Sequence, residues 1–274
     1  MNKPLKILIT NDDGIYAKGI DILIEIVKNK LDCELFIVAP LTNQSAKSMA
    51  FSHRHPVAIS QIFSEPGISK WAVEGTPVDC SKLGLNVVFE DTLPDIVLSG
   101  INNGSNAGQN VLYSGTAGAA LDAALKGVPA IAFSQVGHID SFQKEPGGDY
   151  IKILIDYLLA HPMKKPNCLN VNFPSCDKYL GLRLTTPGHE FCVEDPCLIS
   201  KERSRDFYMI GSKTEGSLND ASDEYRTLIE GYITVAPFSP LDSHKIDGCK
   251  FQEKRNIFDD FVDRHPSYTS LQIE

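Results

Sequence analysis

The sequence predicts an α/β fold built on a mostly parallel sheet, and three observations carry that expectation. Residues 5–10 (LKILIT) and 34–39 (ELFIVA) are short apolar runs, and between them Ile20, Leu23, Ile24 and Val27 fall at helical spacing. Strand, helix, strand in that span marks a βαβ unit. The alternation then recurs from about residue 76 to 173. Past about residue 180 it fades into GLRLTT, FYMIG and YITVAPF, which read as strands in antiparallel hairpins appended to the parallel core.

Each element has a local reason. The first strand stops at Asn11-Asp12-Asp13-Gly14, and a helix follows over 18–28. The second strand is stopped by Pro40. Thr76-Pro77-Val78-Asp79 is a helix start, with Thr as N-cap, Pro at the first position and Asp at the third. DIVLS (95–99) is a buried strand ending in Gly100, and a helix of small residues runs over 115–126 to Gly127. AIAFS (130–134) is a strand, 150–159 a helix and 168–173 another strand. The acidic, polar segment 213–226 reads as an exposed loop, and the tail after about 250 carries no pattern.

A chain of 274 residues with 42% hydrophobic and 22% charged residues suits one large soluble domain. The net charge of −9 argues against a nucleic-acid polymer as partner, since such binding needs basic stripes. A small anion remains accessible where a cation or a helix terminus supplies positive potential. The seven cysteines (33, 80, 168, 176, 192, 197 and 249) form no CxxC and read as free thiols of a reducing compartment. The N-terminal apolar run is too short for a signal peptide, and no stretch is long enough to span a membrane. The expected location is cytoplasmic.

Sites in open parallel sheets form beyond the carboxyl ends of the strands. That rule gathers Asn11-Asp12-Asp13, Thr42-Asn43-Gln44-Ser45, the run Ser99 to Asn106, and Ser114-Gly115-Thr116 at one rim. Two adjacent carboxylates with Ser and Asn oxygens nearby make a hard, all-oxygen site for Mg²⁺ or Mn²⁺. The plainer reading has one Asp capping a helix and the other facing water. Both can ligate one ion only if the chain bends, and Gly14 permits the bend. LYSGTAGAALDAALKG (112–127) offers a helix N-terminus to a phosphate, or is simply a helix N-capped by Ser114 and tightly packed. It is not a P-loop, because GxxxxGK[ST] and its Lys are missing. His53-Arg54-His55 reads first as a solvated loop and second as ligands or an acid/base group. Asp79 reads as a helix cap. No G-x-S-x-G elbow and no recognisable Cys–His nucleophile arrangement occurs.

Taken together, ILITNDDGIYAKGI (7–20), VAPLTNQSA (38–46), VEGTPVDCSKLGL (73–85) and the long stretch from Pro94 to Ser134 resemble the SurE family, the metal-dependent nucleoside monophosphate phosphatases. Weaker similarity continues through LNVNFP (169–174) and EGYITVAPFSPLD (230–242). The resemblance implies a three-layer α/β/α sandwich with a Rossmann-like sheet, an appended β-hairpin and a C-terminal arm that builds a homodimer or homotetramer. On that reading the whole chain, 1–274, is one domain, with a core over about 5–180, hairpin and arm over about 181–250 and an unassigned tail at 251–274. It implies a divalent cation, Mg²⁺ or Mn²⁺, held by Asp12, Asp13, Ser45 and Asn102. It also implies phosphate contacts from Asn106, Ser114, Gly115 and Thr116. The implied reaction is hydrolysis of nucleoside 5′-monophosphates, with 3′-monophosphates and short polyphosphate as further substrates. The expected course is in-line attack of water assisted by the metal, with Asp12 as base. The chain departs from the family at Lys47-Ser48-Met49-Ala50, at Leu241-Asp242-Ser243-His244 and in the acidic segment 213–226.

Other readings predict different residues. A haloacid-dehalogenase-like phosphatase would show DxD after the first strand, whereas here the acids are adjacent. A receiver domain is about half this length and carries an Asp after its third strand, where this chain has SGIN. A nucleotide-binding module would keep the site without turnover.

Overall fold

A computed structural model describes residues 3–161, 168–188, 196–210 and 223–239. Among the described residues, eleven strands and five α-helices follow in chain order. They begin with β1 (Leu5–Thr10), α1 (Lys18–Lys30), β2 (Cys33–Pro40), β3 (Ile59–Glu65), β4 (Ile68–Val73) and α2 (Pro77–Leu83). Next come β5 (Ile96–Asn103), α3 (Gly115–Leu125), β6 (Ala130–Gln135), α4 (Lys144–Ala160), β7 (Cys168–Phe173) and β8 (Leu182–Leu184). The last are β9 (Cys197–Glu202), β10 (Arg205–Met209), α5 (Asp223–Ile229) and β11 (Ile233–Phe238).

Nine strands form one sheet in the order β3-β4-β2-β1-β5-β6-β7-β11-β8. The run from β4 to β7 is parallel, while β3 and β11 pair antiparallel to their inner neighbours. Side-chain alternation along the strands separates two cores. Ile7 and Ile9 of β1 join the apolar residues of α1 and α4 on one face. Leu8 joins those of α2 and α3 on the other. The result is the expected three-layer α/β/α sandwich.

Several elements differ from the sequence reading, each for a physical reason. Strand β5 does not end at Gly100 but continues to Asn103 through a register shift between Ser99 and Asn102. Gly100 sits at φ +131°, and a Cβ there would lie 2.4 Å from the Phe133 carbonyl oxygen. Helix α4 begins at Lys144, before the expected 150, because Pro146 lies in the first turn, where its missing N–H costs nothing. Strands β8 and β11 belong to the main sheet, and β8 runs parallel to β11. Only β9 and β10 form a separate two-stranded hairpin. Residues 223–226, expected in a loop, open α5. The rest of the acidic segment, the Leu241 to His244 departure, the tail, Cys192 and Cys249 lie outside the described residues.

Connection order places the site. From β1 the chain moves to β2 on one side, while β5 and β6 build outward on the other. The switch point therefore falls between β1 and β5, with α3 entering directly above it.

Candidate active site

The carboxylate pair sits at this switch point. After Thr10 the chain turns at Gly14 (φ +110°), and Asn11 closes the turn. Its Nδ2 donates to the Gly14 carbonyl at 2.8 Å and its Oδ1 accepts from the Gly14 N–H at 3.2 Å. The bend expected from the sequence is therefore present, and each acid has its own setting.

Asp12 is 2% exposed and lies against the N-terminus of α3. The Thr116 hydroxyl donates to its Oδ1. A Cβ on Gly115 would come within 2.8 Å of Asp12 Cβ and 3.1 Å of its Oδ2, so only glycine allows this approach. Burial pushes the Asp12 carboxyl from 3.8 up to about 6, the Thr116 hydroxyl opposes that rise, and the charge of Asp13 adds to it. Asp13 is half-buried. Its Oδ2 accepts from the Asn103 N–H at 3.0 Å and its Oδ1 from Asn43 Nδ2 at 3.2 Å. Burial raises its carboxyl too, against those two hydrogen bonds. Neither acid forms an ion pair among the described residues.

The loop after β2 is tied to the same point. The Gln44 N–H donates to the Asp12 carbonyl at 2.7 Å, and the Ser45 N–H donates to Asn43 Oδ1 at 2.9 Å. This brings exposed Ser45 into the loop that borders both acids. Asn102, in the last residues of β5, donates its Nδ2 to the Gly104 carbonyl at 2.9 Å, which leaves Oδ1 as its acceptor end. No group of three or more His, Cys, Asp and Glu side chains suited to a metal occurs among the described residues. A cation here would therefore have two charged ligands and need neutral oxygens such as those of Ser45 and Asn102. The donor set is all oxygen and fits a hard dication.

Ser114 N-caps α3, its Oγ accepting from the Ala117 N–H at 3.0 Å. The Ser114 hydroxyl proton stays available, whereas that of Thr116 is committed to Asp12. Asn106 is buried, its Nδ2 donating to Ser134 Oγ at 2.8 Å and its N–H to Asn172 Oδ1 at 2.8 Å. The amide nitrogen of Asn106 is thus engaged within the protein. Asp79 behaves as a cap. Its Oδ2 accepts from the Thr76 N–H at 2.9 Å and from the Ser52 hydroxyl, and its Oδ1 from the Ser52 N–H, both at 2.8 Å. His53, Arg54 and His55 are exposed.

Sequence reasoning named the rim loops but missed several groups that hold them. Asn11, Asn43 and Asn103 were placed at the rim without a role, and they fix the acid pair. Asn170 and Asn172 are buried in β7, and Glu224 of α5 is 0% exposed. Polar residues alternating within the apolar strand LNVNF were the available signal for the first two.

Comparisons with known proteins point to one family. The profile of the family described as Survival protein SurE matches residues 7–194. The 5′-nucleotidase SurE of Chlamydia felis is 46% identical over 270 residues, covering 96% of this chain and 98% of that protein. The 5′-nucleotidase SurE 1 of Chlamydia caviae is 43% identical over 270 residues, covering 96% of each chain. Among solved structures, the SurE protein from Aquifex aeolicus superposes with a TM-score of 0.72 at 28% identity, covering 90% of this chain and 99% of that one.

Proposed function

Given that the chain belongs to the SurE family, we propose that it is a divalent-metal-dependent phosphomonoesterase that hydrolyses nucleoside 5′-monophosphates to nucleoside and phosphate. The observation that supports this most is a buried carboxylate, Asp12, beside a second acid and against the N-terminus of α3, with no cationic side chain paired to either acid among the described residues. Such a carboxylate calls for a cation in the functional state.

Asp12, Asp13, Ser45 and Asn102 would hold that ion, Mg²⁺ or Mn²⁺. Bound there, it would supply charge neutralisation and Lewis acidity toward a phosphate oxygen. The rest of the chemistry falls to this chain's own groups. The N–H groups opening α3 and the Ser114 hydroxyl receive the phosphoryl oxygens as negative charge develops on them. Thr116 orients Asp12 through Oδ1. Asp12 accepts the proton of the attacking water, whose oxygen bonds to phosphorus in line with the departing ester oxygen. The P–O bond breaks with its electron pair on the ester oxygen, which takes up a proton from solvent and leaves as the nucleoside hydroxyl.

The same reading takes 3′-monophosphates and short polyphosphate as further substrates, and assembly as a homodimer or homotetramer. The exposed apolar side chains of β9 and β10, among them Leu198, Ile199, Tyr208 and Met209, support the assembly. No described helix is long and apolar enough to cross a membrane. The test is phosphate release from a panel of nucleoside 5′- and 3′-monophosphates with Mg²⁺, Mn²⁺ or EDTA. Release from 5′-monophosphates that EDTA stops and metal restores is expected. Nucleotide binding by calorimetry without release under any metal would assign a binding module instead.

A further inference from the structure

The segment joining Asn102 to Ser114 carries the site from β5 to α3, and its position is not set by the sheet alone. Glu224, in α5, is buried at 0% exposure. Its Oε2 accepts from the Gly108 backbone N–H at 2.9 Å, across 116 residues of sequence. Its Oε1 accepts from Asn172 Nδ2 at 3.3 Å and from the Thr234 hydroxyl at 3.5 Å. Asn172 in turn accepts the Asn106 N–H through Oδ1 at 2.8 Å, and Asn170 Nδ2 donates to the Asn106 carbonyl at 2.9 Å. Both backbone groups of Asn106 and the N–H of Gly108 are therefore held by side chains of β7 and α5.

We propose that Glu224 is a positioning residue for the phosphate end of the site, acting through Gly108 and Asn106 on the segment that leads to the α3 N-terminus. The inference rests on the phosphatase reading above, because it assigns the phosphate to that end. The chemistry explains why a carboxylate stands here. Three donors among the described residues converge on it, and only an ionised acid presents acceptors on both oxygens. A glutamine must turn an NH₂ toward either the Gly108 N–H or the Asn172 NH₂. Asn172 cannot flip to relieve this, because its Oδ1 is needed by Asn106.

The polarity of these groups permits a specific rescue. In Glu224→Gln one donor faces another. In the double variant Glu224→Gln with Asn172→Asp, the aspartate accepts from both the Asn106 N–H and the glutamine NH₂ while the glutamine oxygen keeps the Gly108 N–H, so the bond between the two side chains returns with its polarity reversed and the long contact from the Thr234 hydroxyl is the one left altered. The acid pair is fixed by Asn43, Asn103 and Gln44, none of which this network touches. Metal binding should therefore be spared.

The experiment compares wild type, E224Q, N172D and E224Q/N172D as full chains. Steady-state hydrolysis of AMP is measured, with inhibition by inorganic phosphate, calorimetric titration of phosphate and calorimetric titration of Mn²⁺. E224Q is expected to raise KM and to weaken phosphate binding about tenfold each, with kcat and Mn²⁺ affinity within about threefold of wild type. The double variant is expected to recover most of the phosphate affinity. Unchanged phosphate affinity in folded E224Q would overturn the proposal. So would a double variant no better than the worse single, or a loss shared equally by Mn²⁺ binding, which would mark a general structural role. If E224Q does not fold, the double variant and N172D alone decide the matter. Failure of wild type to hydrolyse AMP would defeat the phosphatase reading alone, since the phosphate titration still reads Glu224.

Discussion

Removing the charge of Asp12 should stabilise the metal-free protein, by an amount that depends on pH in a defined way. The carboxyl is lifted from 3.8 to about 6, chiefly by burial. Keeping it ionised in the folded chain at pH 8 therefore costs about 3 kcal/mol relative to the unfolded chain. The folded-state value lies above the unfolded one, so the metal-free protein loses stability as pH rises from about 4 to about 6, and loses no more above about 7. In Asp12→Asn the side-chain oxygen still accepts from Thr116 and no charge has to be buried. Urea denaturation of EDTA-treated wild type and D12N at pH 4, 5 and 8 reads the difference. D12N should be more stable by up to about 3 kcal/mol at pH 8, by roughly half that at pH 5, and by only about 0.5 kcal/mol at pH 4. Added Mn²⁺ should raise the stability of wild type far more than that of D12N, and D12N should be inactive against nucleoside monophosphates. A D12N protein no more stable than wild type at pH 8, or a gain that is the same at every pH, would refute the picture of an uncompensated buried acid.

Gly115→Ala should cut kcat/KM for AMP at least tenfold while costing only about 1–3 kcal/mol of stability, because the new methyl would press on Asp12 and on Pro77 Cγ, each 2.8 Å from its position. Kinetics beside a thermal melt separate the two effects. Ser45→Ala and Asn102→Ala should each raise the Mn²⁺ concentration for half-maximal activity by about 10–100-fold, with AMP turnover at saturating metal much less affected. Metal titrations at fixed AMP check this, and unchanged metal dependence in both would remove these residues from the ligand set.

What could be read in the chain follows the distance over which each decision is made. The first strand, the α3 start and the α2 cap were legible because their signals are local. An apolar run meets Asn11-Asp12-Asp13-Gly14, Ser114 precedes a small-residue helix, and Thr76-Pro77 precedes Asp79. The strands β3 and β4 were not read. Strand β3 is an edge strand whose residues are nearly all exposed, so ISQIFSE shows no buried alternation. Gly100 reads as a terminator, yet the strand passes through it by a bulge whose reason is the Phe133 carbonyl on a neighbouring strand. The start of α4 was hidden by Pro146, Gly147 and Gly148, ordinarily breakers. Gly147 makes room for the Phe142 ring, where a Cβ would lie 2.5 Å from Cζ.

The same division runs through the site. Residues that touch the rim announce themselves, because a carboxylate pair after a buried strand conflicts with its surroundings unless something positive joins it. Residues that hold the rim do not. Glu224 stands in a segment whose sequence looks like a solvated acidic loop, and the short-range pattern around it gives no sign of a buried charge. Part of its explanation is the backbone N–H of Gly108, 116 residues away in sequence, in a fold where β11 pairs with β7. The last described helix is therefore part of the site's construction. If that is right, a chain truncated before residue 223 would lack the acceptors for Gly108 and Asn172 even though every rim residue remained. Its loss of phosphate affinity should exceed that of E224Q, because β11, with Thr234 and the backbone partners of β7, would go with Glu224.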